Sequence, residues 1–302
     1  MAVFSLVILL FGFNNFFNNF QISLTNTVNK QPDQTKVISY NVQQFGEQKK
    51  SQSSIAVKTE IMNFLLDQNA DIVCLQEYHS ANNQLYKPLK EIRDTIGSQS
   101  YYYESYFNPK YNQLSGLVTF SKYKAVNKGK LKFRGSRTFA IYTDVIVNTD
   151  TIRVFNVHLA SIKLKPADLD FVVNPEADNS GDLKSHSSDI YNKLNQAYLL
   201  REKQLGYLIE KIKSTEYQII LCGDFNDTPS SWIYKQLNQY LTDTFVKKGN
   251  GISRTYAGPL PFLRIDYILT GNKFKVNGFT RHNLNKSDHY PISAIINQRT
   301  SK

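Results

Sequence analysis

The chain has 302 residues, with 36 lysines and arginines against 25 acidic residues and a formal net charge of +11. Its length and apolar content exclude a disordered chain and leave room for one large α/β domain or two small ones. Only two cysteines occur, Cys74 and Cys222, each inside an apolar run. They exclude a disulfide scaffold and read as buried thiols, with a single bridge left open. The basic balance favours anionic partners, such as nucleic acid, phospholipid head groups or phosphorylated metabolites, without choosing among them.

In chain order, residues 1–24 come first. No charged residue occurs before Lys30, and "AVFSLVILLFGF" at 2–13 is apolar except for Ser5. That run is shorter than the ~20 residues of a spanning helix, and it has neither the basic start nor the small-residue cleavage site of a secretory signal. A membrane anchor, a signal peptide and a packed N-terminal helix are the open alternatives. Residues 25–35 are polar and read as a linker into a domain at 36–299.

Within that domain "KVISYNVQQF" at 36–45 reads as a first strand, and residues 53–68 carry Ile55, Ile61, Phe64 and Leu65 at helical spacing. "ADIVCLQE" at 70–77 reads as a buried strand, followed by "SGLVTFSK", "FAIYTDVIVN" and "TIRVFNVHLA". The last two are expected to pair across the "NTDT" turn. Residues 163–188 are polar and irregular and read as an insertion. A helix over 190–212 then carries an apolar stripe of Leu194, Ala197, Leu205, Leu208, Ile209 and Ile212. "YQIILCGDF", "RIDYILTG" and "HYPISAII" complete the strands. Many strands with few helices between them predict stacked sheets with helices outside.

The apolar runs share one peculiarity: they end in, or are flanked by, residues that bind metal or move protons. Asn41 interrupts the first strand, Glu77 ends the second, and His158 lies in "VFNVHLA". Asp224 and Asn226 follow "IILCG", Asp266 lies in "RIDYIL", and Asp288–His289 precede "YPISAII". Buried charges need partners, and these residues are able to supply one another's. An oxygen-rich set of Asp, Glu and Asn suits a hard cation such as Mg²⁺, whereas zinc would require more His or Cys.

In that order, "SYNVQQF", "LQE", "NVHL", "GDFNDTP", "RIDY" and "SDHYP" resemble the endonuclease/exonuclease/phosphatase superfamily of deoxyribonuclease I-like metal-dependent phosphoesterases, over roughly residues 36–297. "GDFNDTP" followed by "GNGISRTYAGPLPFLRIDYIL" looks like a bacterial subgroup whose catalytic domain follows apolar N-terminal spans. The resemblance implies an α/β fold, a four-layered α/β sandwich of two packed mixed β-sheets flanked by helices. It also implies metal binding, of Mg²⁺ or alternatively Mn²⁺, by Asn41, Glu77 and Asp288. Catalytic roles fall to His158, Asp224, Asn226, Asp266 and His289, with Asp266 orienting His289 and Asp224 addressing the attacking water. Arg137, Asn226 and His158 are the phosphate contacts. Against these stand ordinary readings: an Asp266–Arg264 surface pair, a packed strand histidine at His158, and a solvated Arg137.

Tyr111 and Tyr123 flank "LSGLVTFS", where relatives place a substrate tyrosine, and the sequence does not choose between them. His79 reads as loop, and His186 and His282 as surface residues. Asp227 reads as a local cap. The expected protein is a monomeric, membrane-associated bacterial hydrolase of a phosphodiester or phosphomonoester, acting on nucleic acid or on a phospholipid or sugar phosphate. Secretion is the second expectation for its location. The alternative is a catalytically inactive binding module of the same fold at a membrane surface.

Overall fold

The computed structural model describes residues 16–23, 29–46, 54–79, 89–108, 113–174, 183–260 and 262–299. Its elements in chain order are β1 (Phe20–Gln21), β2 (Thr35–Asn41), α1 (Ser54–Gln68), β3 (Ile72–His79), α2 (Leu89–Thr95), β4 (Ser100–Asn108) and β5 (Gln113–Ser121). There follow β6 (Ala125–Lys132), β7 (Phe139–Val147), β8 (Asp150–His158), α3 (Pro166–Val173), α4 (Leu183–Lys213), β9 (Gln218–Asp224) and α5 (Trp232–Leu237). The chain closes with β10 (Thr242–Asp243), α6 (Thr244–Lys248), β11 (Gly251–Ile252), β12 (Asp266–Thr270), β13 (Phe274–Arg281) and β14 (Ile292–Gln298).

Two six-stranded mixed sheets form, in the orders β13-β14-β2-β3-β5-β4 and β10-β12-β9-β8-β7-β6. Strand alternation sends successive side chains to opposite faces. Val37, Ile72 and Cys74 of one sheet therefore meet Val154, Ile220, Cys222 and Ile268 of the other in the seam between them. The opposite face of the first sheet, with Ile38, Tyr40 and Leu75, packs on Ile61 and Leu65 of α1 and Ile92 of α2. The outer face of the second, with Phe155, Val157 and Leu221, packs on Leu205, Leu208 and Ile212 of α4 and Ile233 of α5. The result is the expected four-layered sandwich, helix–sheet–sheet–helix. Both cysteines are free and fully buried.

Two strand pairs are parallel, β2 with β3 and β8 with β9, each joined through a helix. Ligand sites in α/β sheets form beyond the carboxyl ends of such strands. Asn41, Glu77, His158 and Asp224 sit at or within two residues of those four ends. The hairpin across "NTDT" is as expected, with β7 and β8 in register from Ala140↔Val157 to Val147↔Asp150.

Residues 163–188 differ from the irregular insertion expected. Pro166–Val173 is helical and α4 already begins at Leu183, while residues between these helices lie outside the described set. Asp168 explains the order: it accepts from the Lys165 amide at 2.6 Å and from Lys193 Nζ at 2.7 Å. Leu194 and Ile55, expected on apolar stripes, are exposed, although each lies at helical spacing from buried residues, Ile190 and Ala197 in one case and Lys58 and Met62 in the other. The folded unit also takes in residues ahead of Lys36, since β1 pairs antiparallel with β11 as a separate two-stranded ribbon. No helix among the described residues is long and apolar enough to cross a membrane.

Candidate active site

Five strands meet at one pocket: Asn41, His158 and Asp224 are the last residues of β2, β8 and β9, Asp266 is the first of β12, and Glu77 lies two short of the end of β3. In the second sheet, His158 and Asp266 are both register partners of Asp224, one on each neighbouring strand. Asp224 occupies its place because Gly223 lies against the backbone of β8. A Cβ at Gly223 would meet Val157 O at 2.0 Å, and its φ of +149° suits glycine. The chain then turns through Asn226 at φ +52°, and the Asn226 amide donates to Asp224 Oδ1 at 2.8 Å. In the first sheet a bulge between Leu75 and Tyr78 puts Glu77 at φ +50°, turning its carboxylate out of the ladder.

The groups then interlock across the sheets. Asn41 Nδ2 donates to Asp224 Oδ2 at 3.0 Å and to Glu77 Oε1 at 3.3 Å, while its Oδ1 accepts from the Gln43 amide. His158 Nε2 lies 3.8 Å from both Glu77 Oε1 and Asp224 Oδ2. His289 Nδ1 is hydrogen bonded to Asp266 Oδ2 at 2.8 Å, and its Nε2 lies 3.7 Å from Asp224 Oδ2 and 3.9 Å from Asp288 Oδ1. Glu77 of β3 and His289, from the loop ahead of β14 in the same sheet, thus close on one pocket with Asp224 of the other sheet.

Burial decides the charges. It raises the pKa of Glu77 and of Asp224, and the adjacent histidines only partly oppose it. Burial alone would lower His289, but Asp266, Asp224 and Asp288 together override it and raise the ring to about 10. His289 is therefore an imidazolium at neutral pH, held by Asp266. Asp266 does not pair with Arg264. That guanidinium is bonded instead to Asp243 at 2.7 Å, inside a cage of Tyr234, Tyr267 and Phe245.

Of the residues predicted for the site, Asn41, Glu77, His158, Asp224, Asp266, Asp288 and His289 converge. Asn226 sits at the rim, its side-chain amide donating to Leu159 O at 3.1 Å. Arg137 is exposed, within electrostatic reach of the Tyr106 phenol, which also feels Glu77. Tyr123 is elsewhere, bonded to Thr35 Oγ1 at 2.9 Å, and Tyr111 lies outside the described residues. His79 is buried at the end of β3 with Nδ1 on Leu114 O, rather than in a loop. Neither His186 nor His282 is an open surface residue: one lies against Phe171 and the other contacts Ser293 Oγ and Phe64. Asp227 caps the Thr228 amide and also meets Arg201 at 3.2 Å.

Three supporting residues were not anticipated. Ser287 donates to Asn41 O at 2.7 Å, and Gln43 Oε1 accepts from the Asp288 amide at 3.2 Å. Tyr256 forms an isolated bridge to His289 and sets its ring edge-on to the imidazole, centroids 5.6 Å apart. Its loop is shaped for that ring: Arg254 donates to Tyr256 O and Gly258 O, and a Cβ at Gly258 would meet the Tyr256 ring at 2.2 Å. The "SDHYP" motif carried a signal for Ser287; nothing local marks Tyr256 among 19 tyrosines.

The sequence profile of the Endonuclease/Exonuclease/phosphatase family matches residues 38–289. The chain belongs to that family. Its relatives are hydrolases that act on phosphoesters. Similar folds include an endonuclease/exonuclease/phosphatase from Beutenbergia cavernae, with 13% identity, 88% of this chain and 72% of that one covered, and a TM-score of 0.65. The Bacteroides vulgatus member has 15% identity over 88% of this chain and 99% of its own, also at 0.65. ANGEL2, a 2',3'-cyclic phosphatase, has 14% identity over 90% of this chain and 99% of its own at 0.61. No curated protein sequence matches this chain.

The site of this family member fits a divalent cation. Its donors are hard oxygens, the carboxylates of Glu77, Asp224, Asp266 and Asp288 gather with Asn41 in one pocket, and Asp266 Oδ1 is buried without a hydrogen-bond partner among the described residues. Asp224, Asp266 and His289 form the tightest trio, with donor atoms within 4.8 Å. Because His289 is bonded to Asp266 and Asp224 is fully buried, the partly open carboxylates of Glu77 and Asp288 are the ones that could hold it. Asn41, its amide turned toward Glu77 and Asp224, braces the carboxylates from behind.

Proposed function

We propose that the protein is a Mg²⁺-dependent phosphoesterase that hydrolyses a phosphodiester or phosphomonoester by in-line attack of water. The observation that carries this reading is the shared Asp224 carboxylate, flanked by the His289 imidazolium on one side and by Asn41 and His158 on the other. Mn²⁺ is the substitute cation.

Glu77 and Asp288, braced by Asn41, would hold the cation, which when bound neutralises phosphoryl and leaving-group oxygens. Asp224, made more basic by burial, accepts a proton from the attacking water as its oxygen bonds to phosphorus. The bond from phosphorus to the leaving oxygen breaks as that one forms. His289, kept charged by Asp266, donates a hydrogen bond to a non-bridging oxygen and stabilises the charge that builds there. His158 and the Asn226 amide face the same phosphoryl group, and Arg137 supplies positive charge at the outer edge of the cleft. The apolar N-terminal run supports association with a membrane, and the net charge of +11 supports an anionic substrate.

The test is a substrate panel of plasmid DNA, sphingomyelin, phosphoinositides and adenosine 2',3'-cyclic phosphate, each with and without EDTA. Chelator-sensitive release of product from one of these is the expected outcome. No turnover of any, with Mg²⁺ or Mn²⁺ present, overturns the reading.

A further inference from the structure

The segment ahead of the catalytic domain is strapped to it. Phe20 and Gln21 pair with Ile252 and Gly251, the Ser253 amide donates to Asn19 O at 3.2 Å, and Arg264 Nη2 donates to Asn18 O at 2.7 Å. Helix α6 packs beside β1.

This ribbon has one apolar face. Phe20 and Ile22 lie two residues apart and so point the same way, and Ile252 is the cross-strand partner of Phe20. Phe16 extends the patch, its ring centroid 5.3 Å from that of Phe20. The patch is open: Phe16 is 55% exposed, Ile22 74% and Ile252 51%. Scattered exposed apolar residues need no explanation, but a contiguous group of this kind marks a contact surface.

Sequence and charge say what covers it. The apolar run at residues 2–13 ends three positions before Phe16, so a bilayer that takes up that run reaches the ribbon within a few residues. No acidic residue occurs before Asp33 or between Phe245 and Ile265, while Lys247 and Lys248 end α6 beside the ribbon. Apolar side chains flanked by lysines match the acyl boundary and head groups of an anionic bilayer.

We propose that the β1–β11 ribbon docks on an anionic phospholipid bilayer and holds the catalytic cleft at the membrane surface. The inference rests on the membrane association proposed above and adds the face that makes the contact. The cleft follows from the chain: Tyr256, bridged to His289, is four residues from Ile252, at most ~14 Å of extended backbone. Substrate would thus be met at head-group level.

Both natural cysteines are buried, so single cysteines introduced into the full chain take a thiol-reactive, environment-sensitive fluorophore selectively. The positions are Ile22→Cys, Ile252→Cys and, as control, Thr149→Cys in the exposed β7–β8 turn. Flotation with phosphatidylcholine vesicles containing phosphatidylglycerol reports association, and quenching by spin-labelled lipid reports depth. We expect quenching and a blue shift at positions 22 and 252 and neither at 149. Lys247→Gln with Lys248→Gln should weaken binding to these vesicles about thirtyfold at low salt. If the chain floats but position 252 is not quenched, association stands and the docking face is wrong. If the chain does not float, both fall. A blue shift at 252 before vesicles are added would show that the chain covers its own patch, and would also overturn the proposal.

Discussion

Asp224 Oδ2 lies 3.7 Å from His289 Nε2, while the other nitrogen of that ring is bonded to Asp266 at 2.8 Å. One imidazolium thus sits between two buried carboxylates, and its ordinary pKa of 6.5 is raised to about 10. A folded-state value above the unfolded one stabilises the fold fully below about pH 6.5, and that stability is lost as pH rises through about 10. Metal-free wild-type protein is expected to lose melting temperature over this interval more steeply than His289→Gln. Thermal scans in EDTA across the interval decide it, and parallel curves would contradict the assignment. The same variant should lower the turnover rate at least ~10²-fold.

Cation binding should offset the burial of Glu77 and Asp224. At a hundredfold excess over the dissociation constant, Mg²⁺ is expected to stabilise the fold by about 2.7 kcal/mol, a rise of roughly 5–10 °C in melting temperature. Glu77→Gln should remove most of that rise. Asn41→Ala should weaken cation affinity about 10–100-fold, since Asn41 braces two of the carboxylates. Calorimetric titration with Mg²⁺ checks both, and unchanged affinity in either variant would remove that residue from the cation site.

At Gly223 the fold tolerates no side chain. Gly223→Ala places a Cβ 2.0 Å from Val157 O at a φ of +149°. The expected loss is about 2–5 kcal/mol, from overpacking and backbone strain together. A urea midpoint equal to that of the wild type would show that β8 and β9 separate more readily than their register indicates.

Arg264 is 2% exposed and balances the equally buried Asp243. Arg264→Met leaves that carboxylate without its cation, a loss of about 3–5 kcal/mol. It also removes the donor to Asn18 O, so amide exchange in β1 should accelerate beyond the global change. Exchange in β1 that tracks the rest of the chain would mean Arg264 is not what holds the strap.

The local sequence by itself determined the buried strands and the polar residues at their ends. β2, β3, β8, β9 and β12 are buried along most of their length because both faces are covered, so each carries a short apolar run, and a carboxylate, amide or imidazole at the edge of such a run is visible without a fold. The strands not anticipated in the two large sheets, β4, β6, β10 and β13, are all edge strands. With one side open to water, their composition carries less of the buried pattern, as "AVNKGKLK" of β6 shows.

The tertiary structure alone decided the rest. Glu77 faces the pocket through a bulge whose extra residue appears only once β5 is paired. Arg264 turns from its sequence neighbour Asp266 to Asp243, because a buried guanidinium takes the partner the fold leaves unpaired. Tyr256 reaches His289, and Phe20 reaches Ile252, across separations of 33 and 232 residues. Such contacts depend on backbone pairing, which is the same for every residue type and leaves no mark on composition.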